Sequence, residues 1–445
     1  MRKAHKECLT LPNTRFSLTV IGLAVAASCL PGAWAGQLKA GAGKASITPT
    51  TEVFPYVAQG ERDFVGVHDD VFARALVLDD GVRRVAIVAL EVTAVPDPQQ
   101  MTTSIAQIVG VPPVNVLVVA THTHEVPLFS YHGGAPSPTQ AREIERVRQG
   151  ALEASREAVS GLQPARISFA RGEAWVNTNN GEQAGLKTAF DPKGPSDKTL
   201  DVLRVESQTG DPIAILVNYA THAEVMFRSV TKDSGYEVSG DIPGAVSRLL
   251  EGKPYGAPVV LYSSGAEGDQ LPVFKSLQPA GQIAAEDEGS EGWALLDVQS
   301  RRLASAVAQL TSTMSPGESD VHLDSESSSV TCPGQHLKLD RDTGKANVEE
   351  RPPVSIPIAA IRINGIALAA IGGDVASDIG TAIRAASPVP HTMIITMLAG
   401  SVGYILPDAS YAHPGHGLAG SPLKAGCAEH ALSEGMVQLL SARPK

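Results

Sequence analysis

Five short apolar runs, each closing in a polar or glycine-rich turn, constrain this chain more than any other feature. Val116 to Ala120 leads into Thr121-His-Thr-His-Glu125, and Ile213 to Tyr219 leads into Ala220-Thr-His-Ala-Glu224. Pro258 to Tyr262 is followed by Ser263-Ser-Gly-Ala-Glu-Gly-Asp-Gln270. Ile366 to Ile371 runs into Gly372-Gly-Asp374, and Met393 to Met397 into Leu398-Ala-Gly-Ser-Val-Gly-Tyr404. Continuous runs this short and rich in β-branched residues read as strands buried on both faces, as in a parallel sheet covered by helices. Ligand sites in such sheets lie beyond the carboxyl ends of the strands. One polar turn there means little; five predict a shared pocket.

The remaining pattern supplies partners for these strands. Ala73 to Leu78 and Arg84 to Leu90 flank an Asp-Asp-Gly turn and read as a hairpin whose second strand ends on Glu91. Pro98 to Val109 reads as a helix. Pro138 to Leu162 is the clearest one, with Arg142, Glu143, Glu145, Arg146 and Arg148 opposite Ile144, Val147, Ala151 and Ala158. Ala165 to Trp175 is strand-like, and helices are expected over Trp293 to Leu310 and Val375 to Ala386. Glu182 to Lys198 reads as a loop, and 315–330 as a Ser- and Asp-rich connection with some strand character. The expectation is an α/β fold: a mixed β-sheet core flanked by helices, with a metal site at the strand C-terminal ends. No domain boundary stands out after residue 35, so 36–445 reads as one catalytic unit.

With 43% hydrophobic and 19% charged residues, the chain has ample material for a core. A net charge of −11 argues against nucleic acid as a partner. Residues 1–35 read as a signal peptide. Arg2, Lys3, Lys6 and Arg15 precede an apolar stretch, and Ala33-Trp-Ala35 offers small residues for cleavage before Gly36. No later segment is long and apolar enough to span a bilayer, so a secreted or periplasmic location is expected. Cys8 and Cys29 would leave with the signal. Cys332 and Cys427 would remain as a candidate disulfide, with two free thiols as the alternative.

Imidazoles and carboxylates at the ends of buried strands need a reason, because an unpaired buried polar group costs about 2–7 kcal/mol. Alternation along an extended chain would point His122 and His124 to one side. The pair can bind one metal, or one ring can bind while the other faces substrate, or both can be hydrogen-bonded core residues. With His222, Asp374 and Tyr404, the turns offer N and O donors of the kind zinc takes. No His-Glu-x-x-His spacing is present, nor a Gly-x-Ser-x-Gly elbow, a phosphate-binding loop or a dinucleotide fingerprint.

The ordered set of turns resembles the neutral/alkaline non-lysosomal ceramidase family in its N-terminal catalytic domain. The resemblance runs through Gly41-Ala-Gly-Lys-Ala-Ser-Ile-Thr-Pro49, Gly66-Val-His-Asp69, Ala120-Thr-His-Thr-His124 and Asn218-Tyr-Ala-Thr-His222. It continues through Ser239-Gly-Asp-Ile-Pro-Gly244, Gly265-Ala-Glu-Gly-Asp269, Gly373-Asp374 and Gly403-Tyr404. It implies a zinc amidohydrolase acting on ceramide or a related N-acyl substrate, with zinc held by His122, His222, Asp374 and Tyr404. It also places His124 in the catalytic pocket, and Glu125, Asp269 and Gln270 are the further candidate catalytic groups in these turns.

The departures from the family pattern are specific. Gly268-Asp-Gln-Leu-Pro272 stands where ceramidases read Gly-Asp-Val-Ser-Pro, so Leu271 occupies the place of the family's catalytic serine. Glu125 replaces a serine, Asp374 is one methylene shorter than the family's Glu, and Asn177-Thr-Asn-Asn180 lacks the expected arginine. The family's immunoglobulin-like C-terminal domain has no counterpart in these residues. Three readings follow: a zinc amidohydrolase on a ceramide-like lipid, a metal-dependent esterase or amidase on a non-lipid substrate, and a secreted binding protein impaired in catalysis. Glu125 is expected either as a general base near the metal or as a solvated charge at the pocket mouth.

Overall fold

Alternate residues of the apolar runs go to different cores, which is why the runs show no polar face. In the computed structural model the main sheet has eight strands. They are β1 (Lys39–Ser46), β2 (Phe72–Asp79), β3 (Arg84–Leu90), β4 (Val116–Ala120), β5 (Gln163–Glu173), β6 (Thr199–Ser207), β7 (Pro212–Tyr219) and β8 (Val259–Ser264). Val116, Val118 and Ala120 of β4 face one core, whereas Leu117 and Val119 face another. The structure describes residues 36–56, 62–127, 136–181, 190–277, 286–339, 346–412 and 416–442. The signal segment expected at 1–35, its cleavage position near Ala35, and Cys8 and Cys29 lie outside the described residues.

The spatial order of the large sheet is β8-β7-β6-β5-β1-β2-β3-β4. Only the outermost pairs, β3–β4 and β7–β8, are parallel; every inner pair is antiparallel. A second, four-stranded sheet follows the order β9 (Leu323–Leu339), β10 (Ala346–Ile363), β11 (Ile366–Ile371) and β12 (His391–Ile395). The inner faces of the two sheets share a core that includes Leu76, Ile87, Leu117, Leu216, Ile361, Leu368 and Met393. The expected mixed β-sheet core flanked by helices is what the chain forms. Helices cover only the outer faces, and the inner faces pack on each other.

On the outer face of the large sheet lie α1 (Pro98–Val109), α2 (Pro138–Ser160), α3 (Asp241–Leu250) and α4 (Gly292–Ser312). On the outer face of the small sheet lie α5 (Ser377–Ala386) and the helix Ala428–Ser441. The α2 helix presses directly on β1. A Cβ at Gly41 would stand 2.1 Å from the Ala158 carbonyl oxygen, and one at Gly43 2.3 Å from that of Ala154. That close approach accounts for the two glycines in Gly41-Ala-Gly43.

The stretch 315–330 departs from its expected reading, because β9 is an edge strand in a long hairpin with β10. Its Ser327 to Ser329 segment is exposed, so the run lacks the apolar alternation that marks a strand. Helix α5 begins two residues later than expected, because Asp374–Val375 pairs in parallel with Tyr404–Ile405. Cys332 and Cys427 are joined by a disulfide that ties β9 to the start of the helix Ala428–Ser441. Among the described residues no helix is long and apolar enough to cross a membrane.

The path after β12 brings the strand ends together. The edge strands β4 and β8 of the large sheet come into contact, and residues 396–399 bridge them. Thr396 N donates to Ser264 O at 2.9 Å, Ala120 N to Met397 O at 3.1 Å, and Ala399 N to Val118 O at 2.8 Å. The carboxyl ends of β4, β7, β8 and β11 thus converge on one point.

Candidate active site

The turns that follow β4 and β7 place a histidine at their second and third residue respectively. The turns run side by side, with Thr123 bridged to Ala223 and His124 N donating to Ala223 O at 3.1 Å. His122 adopts the left-handed region, φ 61°, a conformation that non-glycine residues keep only where the surroundings enforce it. His122 and His124 do meet, but the chain between them is not the extended one that alternation assumes.

Both buried imidazoles are held through Nδ1. His122 Nδ1 donates to Thr93 O at 2.7 Å, and His222 Nδ1 to Gln270 O at 3.1 Å. A carbonyl only accepts, so each Nδ1 carries a hydrogen, and each Nε2 faces the centre, where it can offer a lone pair to a cation in place of a proton. There the Asp374 Oδ2 atom lies 3.2 Å from His222 Nε2 and 3.6 Å from His122 Nε2. The Tyr404 hydroxyl is 3.4 Å from His222 Nε2, and His124 Nε2 is 3.2 Å from His122 Nε2.

These spacings fit a metal. Four donors around one ion with bonds of about 2.0–2.1 Å stand about 3.3 Å apart. Asp374 Oδ1 is buried without a hydrogen-bond partner, which fits a carboxylate prepared for a cation rather than for the interior alone. Two sets of side chains bring their donor atoms within 4.8 Å of one another: His122, His124 and His222, and His122, Glu267 and Asp374. Burial pushes the Asp374 carboxyl up, but His222 and His122 outweigh it and hold the group well below the usual carboxylate range. Burial lowers His222, while Asp374 outweighs that and raises it to about 10. Burial keeps His124 well below the usual imidazole value, so its ring is neutral near pH 7.

The other residues singled out in the sequence sit apart from this centre. The Asp269 carboxylate accepts from Ser377 N at 2.8 Å and Ser377 Oγ at 2.9 Å, fixing the first turn of α5. The Gln270 side chain bonds Ser196, Pro195 O, Asp269 and Ser377, and its main-chain oxygen is what orients His222. Through these contacts both residues support the site from behind. Glu125 is buried rather than solvated, and burial together with Asp241 raises it well above the carboxylate range. That burial does not fit the solvated reading of Glu125. Leu271 is 3% exposed and pairs with Thr178 in the ladder Gln270–Pro272 with Asn177–Asn179. Glu91 also lies outside the centre, in a buried ion pair with Arg74.

Two acidic residues went unmarked in the sequence. Glu267 follows β8, is fully buried, and is raised by that burial to about 8. Glu224 follows β7, with Oε1 3.7 Å from His124 Nε2 and Oε2 2.5 Å from Lys275 Nζ. Their signal was the one that marked the histidines: a charged residue just past an apolar run. Beside His124 and Glu125 a narrow cleft of about 30 Å³ is lined by Phe64, Met226, Phe227, Arg228, Tyr236 and Trp293.

Fold and site together define a two-sheet α/β protein with a histidine- and carboxylate-lined centre able to hold a metal ion. Comparison with known proteins gives this class its relatives. No protein-family profile matches the chain. It is similar to neutral ceramidase A of Dictyostelium discoideum, 27% identical over 150 residues, covering 31% of this chain and 20% of that protein. Neutral ceramidase B of the same organism is 27% identical over 174 residues, 36% of this chain and 24% of its own length. The matched stretch thus spans about a quarter or less of these relatives. Among solved structures, a ceramidase complexed with C2 shares the fold with a TM-score of 0.72 at 17% identity, over 91% of this chain and 75% of that one. The neutral ceramidase from Pseudomonas aeruginosa gives 0.71 at 17% identity, over 91% and 74%. The resemblance to the neutral ceramidase family seen in the sequence is borne out, by partial sequence similarity and by the fold.

Proposed function

We propose that this protein is a zinc-dependent hydrolase that cleaves an N-acyl amide. The observation that carries the reading is the convergence of His122 Nε2, His222 Nε2 and Asp374 Oδ2, with both imidazoles locked through Nδ1 by main-chain carbonyls. His122, His222, Asp374 and Tyr404 would hold the ion. Bound there, Zn²⁺ supplies Lewis-acid polarisation of a carbonyl and makes a water more acidic.

The chain's own groups do the rest. His124 is neutral and faces the cleft, so its ring can accept a proton from the attacking water and return it to the leaving amine. Glu224, fixed by Lys275, stands beside His124 Nε2 and stabilises the imidazolium formed in that exchange. The aromatic wall of the cleft takes the apolar part of the substrate and excludes water from the reacting bond.

The substrate we propose is more polar than ceramide. Leu271 offers no hydroxyl, and Glu125, Glu224 and Lys275 put charged or ionisable groups near His124. Export through the segment 1–35 to the periplasm or outside the cell is part of the reading, supported by the Cys332–Cys427 disulfide, which suits an oxidising compartment. Elemental analysis with turnover measured on a panel of N-acyl amides and esters, ceramide included, tests it. A protein that takes up no metal and turns over none of these would be the impaired binding protein instead.

A further inference from the structure

We infer that Glu267 is a direct ligand of the ion at this centre, which makes it a site of two imidazoles, two carboxylates and the Tyr404 phenol. The inference rests on the reading that a metal binds beside His122. It assigns a residue that neither the sequence nor the resemblance marked.

The Glu267 side chain is fully buried in the turn after β8. A buried carboxylate ordinarily needs a cation or several hydrogen-bond donors. Among the described residues Glu267 forms no ion pair with a lysine or arginine. Its Oε1 is 3.4 Å from the Thr396 hydroxyl, whereas Oε2 is buried with no hydrogen-bond partner. Asp374 Oδ1 is in the same condition. Two neighbouring carboxylates, each with a bare buried oxygen, repel one another unless a bound proton or a cation relieves them.

The backbone presses the pair together. Gly268 N donates to Val375 O at 2.8 Å, and a Cβ at Gly268 would stand 2.6 Å from the Asp374 carbonyl oxygen. Only a glycine after Glu267 lets its turn lie this close to Asp374. Donor atoms of His122, Glu267 and Asp374 then fall within 4.8 Å of one another. Donor atoms that share one ion through bonds of about 2.1 Å stand up to about 4.2 Å apart, so this clustering puts Glu267 within reach of an ion bound beside His122.

The two donor groupings describe one ion rather than two. His122 is common to both. Its Nδ1 is committed to Thr93 O, and the single Nε2 lone pair serves one metal. Two neutral imidazoles and two carboxylates around a divalent cation also leave the interior without net charge.

The test is Zn²⁺ affinity, measured by calorimetry and chelator competition at fixed pH, on the full chain and on Glu267→Gln, with unfolding midpoints taken with and without the ion. The amide keeps the volume of the side chain and its contact with Thr396. The variant is expected to fold, to match or exceed the ion-free stability of the unsubstituted chain, and to bind Zn²⁺ at least tenfold more weakly. Unchanged affinity would overturn the assignment of Glu267 while leaving a metal at His122 and His222. A variant unable to fold without metal would overturn it too, by showing a structural role. An unsubstituted chain that binds no Zn²⁺ would remove the metal reading itself.

Discussion

Asp374 and Tyr404 are direct partners in a two-residue parallel ladder, although thirty positions separate them in the chain. Asp374 N donates to Gly403 O at 2.9 Å, and a Cβ at Gly373 would stand 2.3 Å from Ile405 Cδ1. That ladder stops α5 from starting early and sets a carboxylate and a phenol side by side next to His222. The shorter arm of Asp374 still reaches both imidazoles.

The first prediction follows from that reach. The purified chain should carry one metal ion, zinc in the proposed reading. His122→Ala, His222→Ala and Asp374→Ala should each reduce the bound metal below a tenth of an equivalent by elemental analysis. The 3.2 Å contact of Asp374 with His222 Nε2 makes it an equal partner of the two imidazoles. Full metal occupancy in Asp374→Ala would remove Asp374 from the ligand set.

Ceramide should be a poor substrate. Leu271 is buried in the ladder with Asn177–Asn179 and offers no hydrogen bond to a developing oxyanion, and one such bond is worth about 3–4 kcal/mol. Turnover of ceramide in the range typical of enzymes, roughly 1–1000 per second, would show that a hydroxyl at position 271 is dispensable. Faster cleavage of a short-chain, polar N-acyl compound is the expected result in the same assay.

Glu125 and Asp241 make stability depend on pH in a direction opposite to most carboxylates. Burial raises both, Asp241 to about 6 and Glu125 well above its usual value. Folded carboxyls that hold protons more tightly than the unfolded chain stabilise the fold at low pH. That contribution is present below about pH 4 and is lost as the pH rises through the folded values. Each tenfold change in proton affinity is worth about 1.4 kcal/mol. Glu125→Gln should therefore raise the unfolding midpoint at pH 8 more than at pH 5. An equal shift at both pH values would refute a shared proton.

Reducing the Cys332–Cys427 disulfide should lower the unfolding midpoint. The bridge spans 95 residues, and closing a loop of that length is worth about 4.7 kcal/mol on the chain-entropy model. The double change to serine should reproduce the loss, and thiol titration of the oxidised, denatured protein should find neither of the two free. N-terminal sequencing of exported protein, expected to begin near Gly36, accompanies it.

The local sequence determined the strands and where the chemistry sits along the chain. Val116–Ala120, Pro212–Tyr219 and Ile366–Ile371 were legible because burial on both faces demands unbroken apolar runs, and the polar group after each run marked His122, His222 and Asp374. The hairpin partner β9 was not legible, because Ser327 to Ser329 on an exposed edge carry no apolar alternation. What only the tertiary structure decided is which polar residues share a centre. Glu125, Asp269 and Glu267 look equivalent in sequence, each a carboxylate at a strand end. Packing sends the first to Asp241, the second to Ser377 and the third to Asp374. The reason is that a carboxylate's role is set by what lies within about 3–5 Å of it, and those neighbours come from elements more than 100 residues away along the chain, joined by packing that no local pattern encodes.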